Sequence, residues 1–203
     1  MNINELIKEN ERLNKENAYL KSLLRLNNIK YDDLNTEVID LTKSYSDALK
    51  LLDDYDHQCV SKIEGNKSGY ILSYEECRSF INDMRFSKDS SVFGLEKQKG
   101  QLEGILSCIN QTAFGEEIYT SLEEKAANLL YFIIKDHPFV DGCKRIGAGL
   151  FLLYLSKNLS LKNESLNISN GTLVSITLLV AESKPEEKEV MINIIMNILF
   201  NRL

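Results

Sequence analysis

Two predicted helices are joined by HPFVDGCKR, residues 137–145. Apolar periodicity predicts the first helix, from about Ser121 to Lys135, and an almost continuously apolar stretch predicts the second, from about Gly142 to Lys157. The nine residues between and at the start of these helices include a histidine, a carboxylate, a glycine and two cations. The stretch is therefore both the turn on which the fold depends and the candidate functional site.

These side chains have complementary chemistry. His137 precedes a proline, which favours a tight turn, and imidazole can accept a proton from a hydroxyl near neutral pH. Asp141 offers the hard oxygen ligands that Mg²⁺ prefers. Gly142 starts the next helix, where free backbone N–H groups, together with Lys144 and Arg145, favour an anion. The set indicates nucleotide-dependent transfer to a hydroxyl; the alternative is a structural turn with an exposed Lys-Arg pair.

Composition limits the class of protein. The 203 residues allow one domain with a core and an appendage, and 27% charged and 43% hydrophobic residues are ordinary for a soluble globular chain. A net charge of −6 argues against nucleic acid as the main partner. Four cysteines without a CxxC pair and a charged N-terminus predict reduced thiols in the cytoplasm. The longest apolar run, Ile146–Leu155, is too short to span a membrane.

Residues 1–30 read as one helix with a heptad pattern. Leucines occupy the d positions at residues 6, 13 and 20, and asparagines occupy a positions at residues 10 and 17. Leu at d with buried Asn at a is typical of a two-stranded parallel coiled coil. We therefore expect a homodimer through residues 1–30, or else a single amphipathic helix that lies on its own chain. No basic region precedes the heptads, which disfavours a DNA-binding zipper.

The turn-forming stretch Glu64–Gly69 predicts a boundary between an N-terminal helical extension, residues 1–66, and a catalytic body, residues 67–203. Capping-box patterns at Ser73, Thr120 and Ser183 predict three helix starts. The predicted fold class is mainly α, a helical bundle preceded by a coiled-coil-like helix.

Glycines at 100 and 104, followed by apolar residues, predict one exception to this helical pattern. We expect a short β-hairpin or extended flap over residues 100–109 rather than a helix.

HPFVDGCKR resembles the HPFx[D/E]GN[G/K]R signature of the Fic/Doc (Fido) superfamily, and eight of its nine positions fit. Upstream, residues 100–136 resemble the flap and preceding helix of the death-on-curing branch, and FLLYLSKN, residues 151–158, fits as well. The resemblance covers about residues 70–200 and leaves the first 60 residues outside it.

The resemblance implies a bundle of Fic/Doc type that uses Mg²⁺ and ATP to transfer AMP (AMPylation) to a Ser, Thr or Tyr hydroxyl of a target protein. His137 would be the general base, Asp141 the Mg²⁺ ligand and Phe139 a buried anchor. The nucleotide phosphates would contact Gly142, Cys143, Lys144 and Arg145. A flap containing Leu102, Glu103, Gly104 and Ile105 would bind an extended piece of the target by strand addition.

Two positions of the signature leave alternatives open. Lys144 stands where many AMP-transferring members have Gly, and in Doc-like proteins a Lys there accompanies an inverted nucleotide and transfer of the γ-phosphoryl group. The first alternative is therefore a Doc-like kinase toxin held by an antitoxin, although Asp141 fits the AMP-transferring pattern. Cys143 replaces the signature Asn and is a poorer hydrogen-bond donor. The second alternative is a catalytically impaired binding or assembly module.

Ser61–Asn66 resembles the inhibitory [S/T]xxxE[G/N] motif, in which Glu64 would bind the signature Arg145 and block the γ-phosphate. Val60 stands where that motif has Ser or Thr. A plain turn is the alternative interpretation of this stretch.

Overall fold

The computed structural model describes residues 3–26, 43–84, 86, 90–162, 164 and 166–200. The chain divides into two compact units, Met1–Asp53 and Asp54–Leu203. The boundary predicted after residue 66 stays a prediction. Residues 60–66 pack within the second unit, since Asn193 Nδ2 donates to the Val60 carbonyl (2.9 Å) and the Asn66 N–H donates to the Glu123 carboxylate (2.7 Å).

The N-terminal heptad stretch forms one helix, α1 (Ile3–Leu26), as predicted. The three leucines at its d positions, residues 6, 13 and 20, are about half exposed in the single chain. A second helix, α2 (Ser46–Asp56), contains no buried residue. The self-association predicted for residues 1–30 stays a prediction.

The second unit is mainly helical, which confirms the predicted fold class. Its helices are α3 (Tyr74–Asp83), α4 (Gln101–Ile109), α5 (Leu122–Lys135), α6 (Cys143–Ser160), α7 (Asn170–Glu182) and α8 (Lys188–Phe200). Between α4 and α5, β1 (Thr112–Ala113) and β2 (Glu116–Glu117) form an antiparallel hairpin with Ala113 opposite Glu116. No helix among the described residues is long and apolar enough to cross a bilayer.

The core surrounds α5, which packs against α4, α6, α7 and α8. Every residue of α5 from Leu122 to Tyr131 is buried, as expected for a central helix of a bundle. This burial includes the charged residues Glu123–Lys125, which need partners inside the protein. Asn66 binds Glu123, and Lys62 binds Glu124. Lys125 binds Glu117 in the hairpin at 2.7 Å. The first turn of α5 therefore holds both the preceding hairpin and residues 62–66.

The extended flap predicted over residues 100–109 is wrong, because α4 occupies Gln101–Ile109. Leu102, Ile105, Leu106 and Ile109 recur at the i, i+3, i+4 and i+7 spacing of one helix face, and all four are buried. Gly100 does not interrupt the helix; it precedes it as the N-cap residue, with φ +87°. The apolar periodicity of this stretch therefore outweighs the low helix propensity of its glycines.

The hairpin lies further along the chain, at a turn made by Phe114 and Gly115. Their φ values of +54° and +88° suit the two central positions of a type I′ turn, which matches the twist of the flanking strands. Asn or Gly usually occupies the first of these positions. Phe114 is fully exposed at the tip.

One of the three predicted helix starts is confirmed and two are shifted by one residue. Ser73 forms a complete capping box with the first turn of α3. Ser121, rather than Thr120, is the N-cap residue of α5. Ser183 is instead the C-cap residue of α7, and Lys184 is the N-cap residue of the 3₁₀ turn Pro185–Glu187 that leads into α8.

Candidate active site

The turn between α5 and α6 holds a constrained histidine. α5 ends at Lys135, and the Asp136 N–H donates to the Phe132 carbonyl (2.8 Å). His137 follows with φ +48°, a left-handed conformation that costs a non-glycine residue about 1–3 kcal/mol. Its side chain is exposed and lines a surface cleft. The surrounding backbone therefore holds His137 in a conformation that local preference alone disfavours.

A short extended segment, residues 93–97, supplies that support. The Gly94 N–H donates to the Asp141 carbonyl (3.0 Å), and the Val140 N–H donates to the Leu95 carbonyl (2.8 Å). The Lys97 N–H donates to the carbonyl of Pro138 (2.8 Å). Three backbone hydrogen bonds thus fix the path of residues 138–141. This segment is not evident from the sequence, because residues 93–97 are too few to show a periodic pattern.

Close packing against Phe93 requires a glycine at position 142. Gly142 is the N-cap residue of α6 with φ +94°, and a Cβ atom at this position would lie 2.4 Å from the ring of Phe93. The first backbone hydrogen bond of the helix runs from the Ile146 N–H to the Gly142 carbonyl (2.8 Å). The N–H groups of residues 143–145 consequently have no acceptor within the helix, and they favour an anion at its N-terminus.

Arg145 and Asp141 form an ion pair one helical turn apart. Arg145 Nη2 donates to both carboxylate oxygens of Asp141, at 2.9 and 3.1 Å. The guanidinium carbon also lies 4.8 Å from the ring centroid of Phe86 and 5.0 Å from that of Phe93. Both charged side chains are about 40% exposed, and such pairs contribute little to stability. The two side chains can therefore separate at little cost, which leaves both charged groups available to other partners.

The Cys143 thiol points into the protein. Its residue is 7% exposed, and Sγ donates to the Phe139 carbonyl at 3.4 Å. Phe139 is 1% exposed, so it is the buried anchor that the signature implies. A ligand in the cleft can reach the backbone N–H of Cys143, while the thiol stabilises the turn.

The cleft has a volume of about 320 Å³ and brings the signature side chains together. Its lining is formed by residues 139–145, together with His137 and Lys97. The described residues contain no group of three or more His, Cys, Asp or Glu side chains that could hold a metal. A Mg²⁺ ion at Asp141 would thus depend on phosphate and water oxygens for its other ligands, which is usual for Mg²⁺ bound with a nucleotide.

Two sets of predicted site residues lie elsewhere. Leu102 and Ile105 are buried in the core face of α4, and Glu103 and Gly104 lie on its exposed face, so none of them belongs to an extended flap.

Glu64 is separated from Arg145 by the length of α5. Its neighbour Gly65 packs against Ser121 and Glu123 at the start of that helix, whereas the cleft follows its end. Fourteen residues of helix span roughly 20 Å, so the structure does not bring Glu64 to Arg145.

A protein-family model matches the part of the chain that contains the cleft. Residues 72–155 match the Fic/DOC family. The matched segment runs from just before α3 into α6, and it contains residues 93–97 and the whole cleft. None of the curated proteins or solved structures compared with the chain matches it.

The match covers less than half of the 203 residues and supports the Fic/Doc superfamily for this segment. It favours a transferase-type enzyme in general.

Proposed function

We propose that this protein transfers AMP from Mg-ATP to a Ser, Thr or Tyr hydroxyl of a target protein. The observation that carries the proposal is the convergence of His137, Asp141, Arg145 and the start of α6 on one cleft. In this scheme His137 accepts the hydroxyl proton, the hydroxyl oxygen attacks the α-phosphorus of ATP and pyrophosphate leaves, while Arg145 and the free N–H groups of α6 hold the phosphates. Asp141 provides the carboxylate for Mg²⁺.

The conformation of His137 supports its role as the base. Strained backbone persists where the surrounding structure imposes it, and it is concentrated at functional sites. Here the strain coincides with an exposed imidazole between a central helix and a hydrogen-bonded turn. A merely structural turn could place an unstrained residue at this position.

Transfer of the γ-phosphoryl group is the main alternative. Lys144 is exposed and lines the cleft at the N-terminus of α6. A lysine ammonium in that place adds a second cation beside the phosphate site. The resemblance to Doc-like kinase toxins rests on this residue, and an antitoxin partner is part of the same proposal.

A non-catalytic binding module is the second alternative, since Cys143 replaces the signature Asn. The inward hydrogen bond from the thiol to Phe139 preserves the turn, and the backbone N–H of Cys143 still lies at the helix start. These contacts favour a site that is still catalytic, although less active, over one that has lost its activity.

Homodimerisation through residues 1–30 and a cytoplasmic location remain parts of the proposal. The half-exposed leucines of α1 at residues 6, 13 and 20 support the first of these.

Mass spectrometry distinguishes the three functions. The purified protein is incubated with Mg-ATP and a cell lysate, and new modifications on lysate proteins are identified. We expect an adenylyl addition on hydroxyl side chains. A phosphoryl addition would establish the Doc-like alternative, and the absence of any addition would favour the binding module. Lys144→Gly should leave an adenylyl signal in place and should abolish a phosphoryl signal.

A further inference from the structure

A second pocket lies beside the cleft, between α4 and the end of α5. It has a volume of about 310 Å³ and mostly apolar walls that include Ile105, Phe132 and Pro138. Asp136 and Gly104 also line it. His137 stands between Asp136 and Pro138 in the chain, so the cleft and the pocket meet at this turn. A peptide whose hydroxyl reaches His137 therefore has this pocket within reach of a neighbouring side chain.

The pocket contains one charged group, Asp136, which lies at its solvent-exposed edge. Among the described residues, no side chain donates a hydrogen bond to the Asp136 carboxylate or forms an ion pair with it. Burial raises the pKa of Asp136, and the opposing fields of Lys188 and His137 do not cancel this effect. The Lys188 ammonium lies over the aromatic ring of Phe132, 4.4 Å from its centroid, rather than against the carboxylate.

We propose that this pocket binds an arginine or lysine side chain of the target, next to the hydroxyl that enters the His137 cleft. The aliphatic stem of such a side chain packs well against apolar walls while its charged end reaches a polar group. Here Ile105 and Pro138 would contact the stem and Asp136 would bind the cation. The inference rests on the proposed function, because it assigns specificity to the same site.

Gly104 keeps the pocket open. A glycine in a helix interior costs about 0.5–1 kcal/mol relative to alanine, so it does not serve the stability of α4. A Cβ atom added at Gly104 would meet nothing within 4 Å, which means that a side chain can be accommodated there without disturbing the fold. A large side chain at this position would instead occupy the pocket.

The test uses direct binding, so that it does not depend on transfer activity. The full chain is titrated with N-acetyl-argininamide, and with N-acetyl-norleucinamide as the neutral control, while backbone amide chemical shifts are followed by NMR. We expect saturable shifts confined to residues 104–108 and 132–138 with the arginine probe only. Equal shifts with both probes, or none in this region, would overturn the proposal.

Three variants separate the pocket from general effects on the fold. Gly104→Leu should remove binding, and Gly104→Ala should preserve it, although both replace the same helical glycine. Asp136→Asn should weaken binding by roughly tenfold, which corresponds to 1.4 kcal/mol. Thermal unfolding verifies that each variant is folded; a folded Gly104→Leu variant that binds as well as wild type would exclude this pocket. Failure of transfer with intact probe binding would count against the proposed function alone.

Discussion

A matched pair of glycine substitutions can measure how much stability is lost when a side chain at position 142 meets the ring of Phe93. Gly100 and Gly142 are both N-cap residues, of α4 and α6, and their φ and ψ angles are nearly the same, +87° and 5° against +94° and 7°. Their surroundings differ. An added Cβ would meet nothing within 4 Å at Gly100, but it would lie 2.4 and 2.7 Å from two carbons of the Phe93 ring at Gly142.

Gly100→Ala should therefore report the cost of a left-handed L-residue alone, about 1–2 kcal/mol. Gly142→Ala should carry the same cost plus about 1–3 kcal/mol for displacing a buried ring. We expect a total loss of about 2–5 kcal/mol in the free energy of unfolding for Gly142→Ala. Urea unfolding of wild type and both variants gives these differences from the midpoints and slopes.

A double variant tests the named contact. Phe93→Leu should reduce the excess cost of Gly142→Ala, because the clashing ring is gone, and the two substitutions should then be non-additive. If Gly142→Ala costs no more than Gly100→Ala within about 0.5 kcal/mol, Phe93 does not determine the requirement for glycine at the start of α6.

Three further substitutions test other parts of the account. Cys143→Asn restores a stronger donor at the turn and should raise the rate of label transfer; an unchanged or lower rate would show that the cysteine does not weaken the site. Phe114→Asn should stabilise the protein by about 1 kcal/mol in urea unfolding, because Asn tolerates the left-handed turn position, and a loss of stability would contradict the exposure of Phe114. Leu13→Glu should convert a dimer to a monomer in sedimentation, whereas Lys15→Glu, outside the a and d positions, should not; a monomeric wild type would refute the coiled coil.

The parts of the fold that follow from local periodicity were predictable. α5 is long and its apolar residues recur at helical spacing, α6 is long and almost continuously apolar, and Gly142 marks the junction. The same criterion, applied to Leu102, Ile105 and Ile109, would have identified α4. Gly100 and Gly104 disfavour a helix by local propensity, but the burial of the periodic apolar residues between and after them outweighs this cost.

The extended segment at residues 93–97 could not be predicted from apolar periodicity. It pairs with residues 138–141, about 45 positions away, through three backbone hydrogen bonds. Isolated pairing of this kind depends on the packing of the whole unit, and it leaves no alternation of apolar and polar residues in the sequence. The inward orientation of Cys143 likewise depends on the position of the Phe139 carbonyl. The chemical types at the site were thus evident from the sequence, whereas their mutual support was not.

The most direct test of the central claim is transfer of label from ATP labelled in its α-phosphate. Wild type, His137→Ala and His57→Ala are compared with the same lysate and Mg²⁺ concentration. The two substitutions replace the only histidines in the chain, and His57 lies outside the lining of the cleft. We expect protein-bound label with wild type and His57→Ala and none with His137→Ala. Label that persists with His137→Ala would contradict the assignment of this residue as the base.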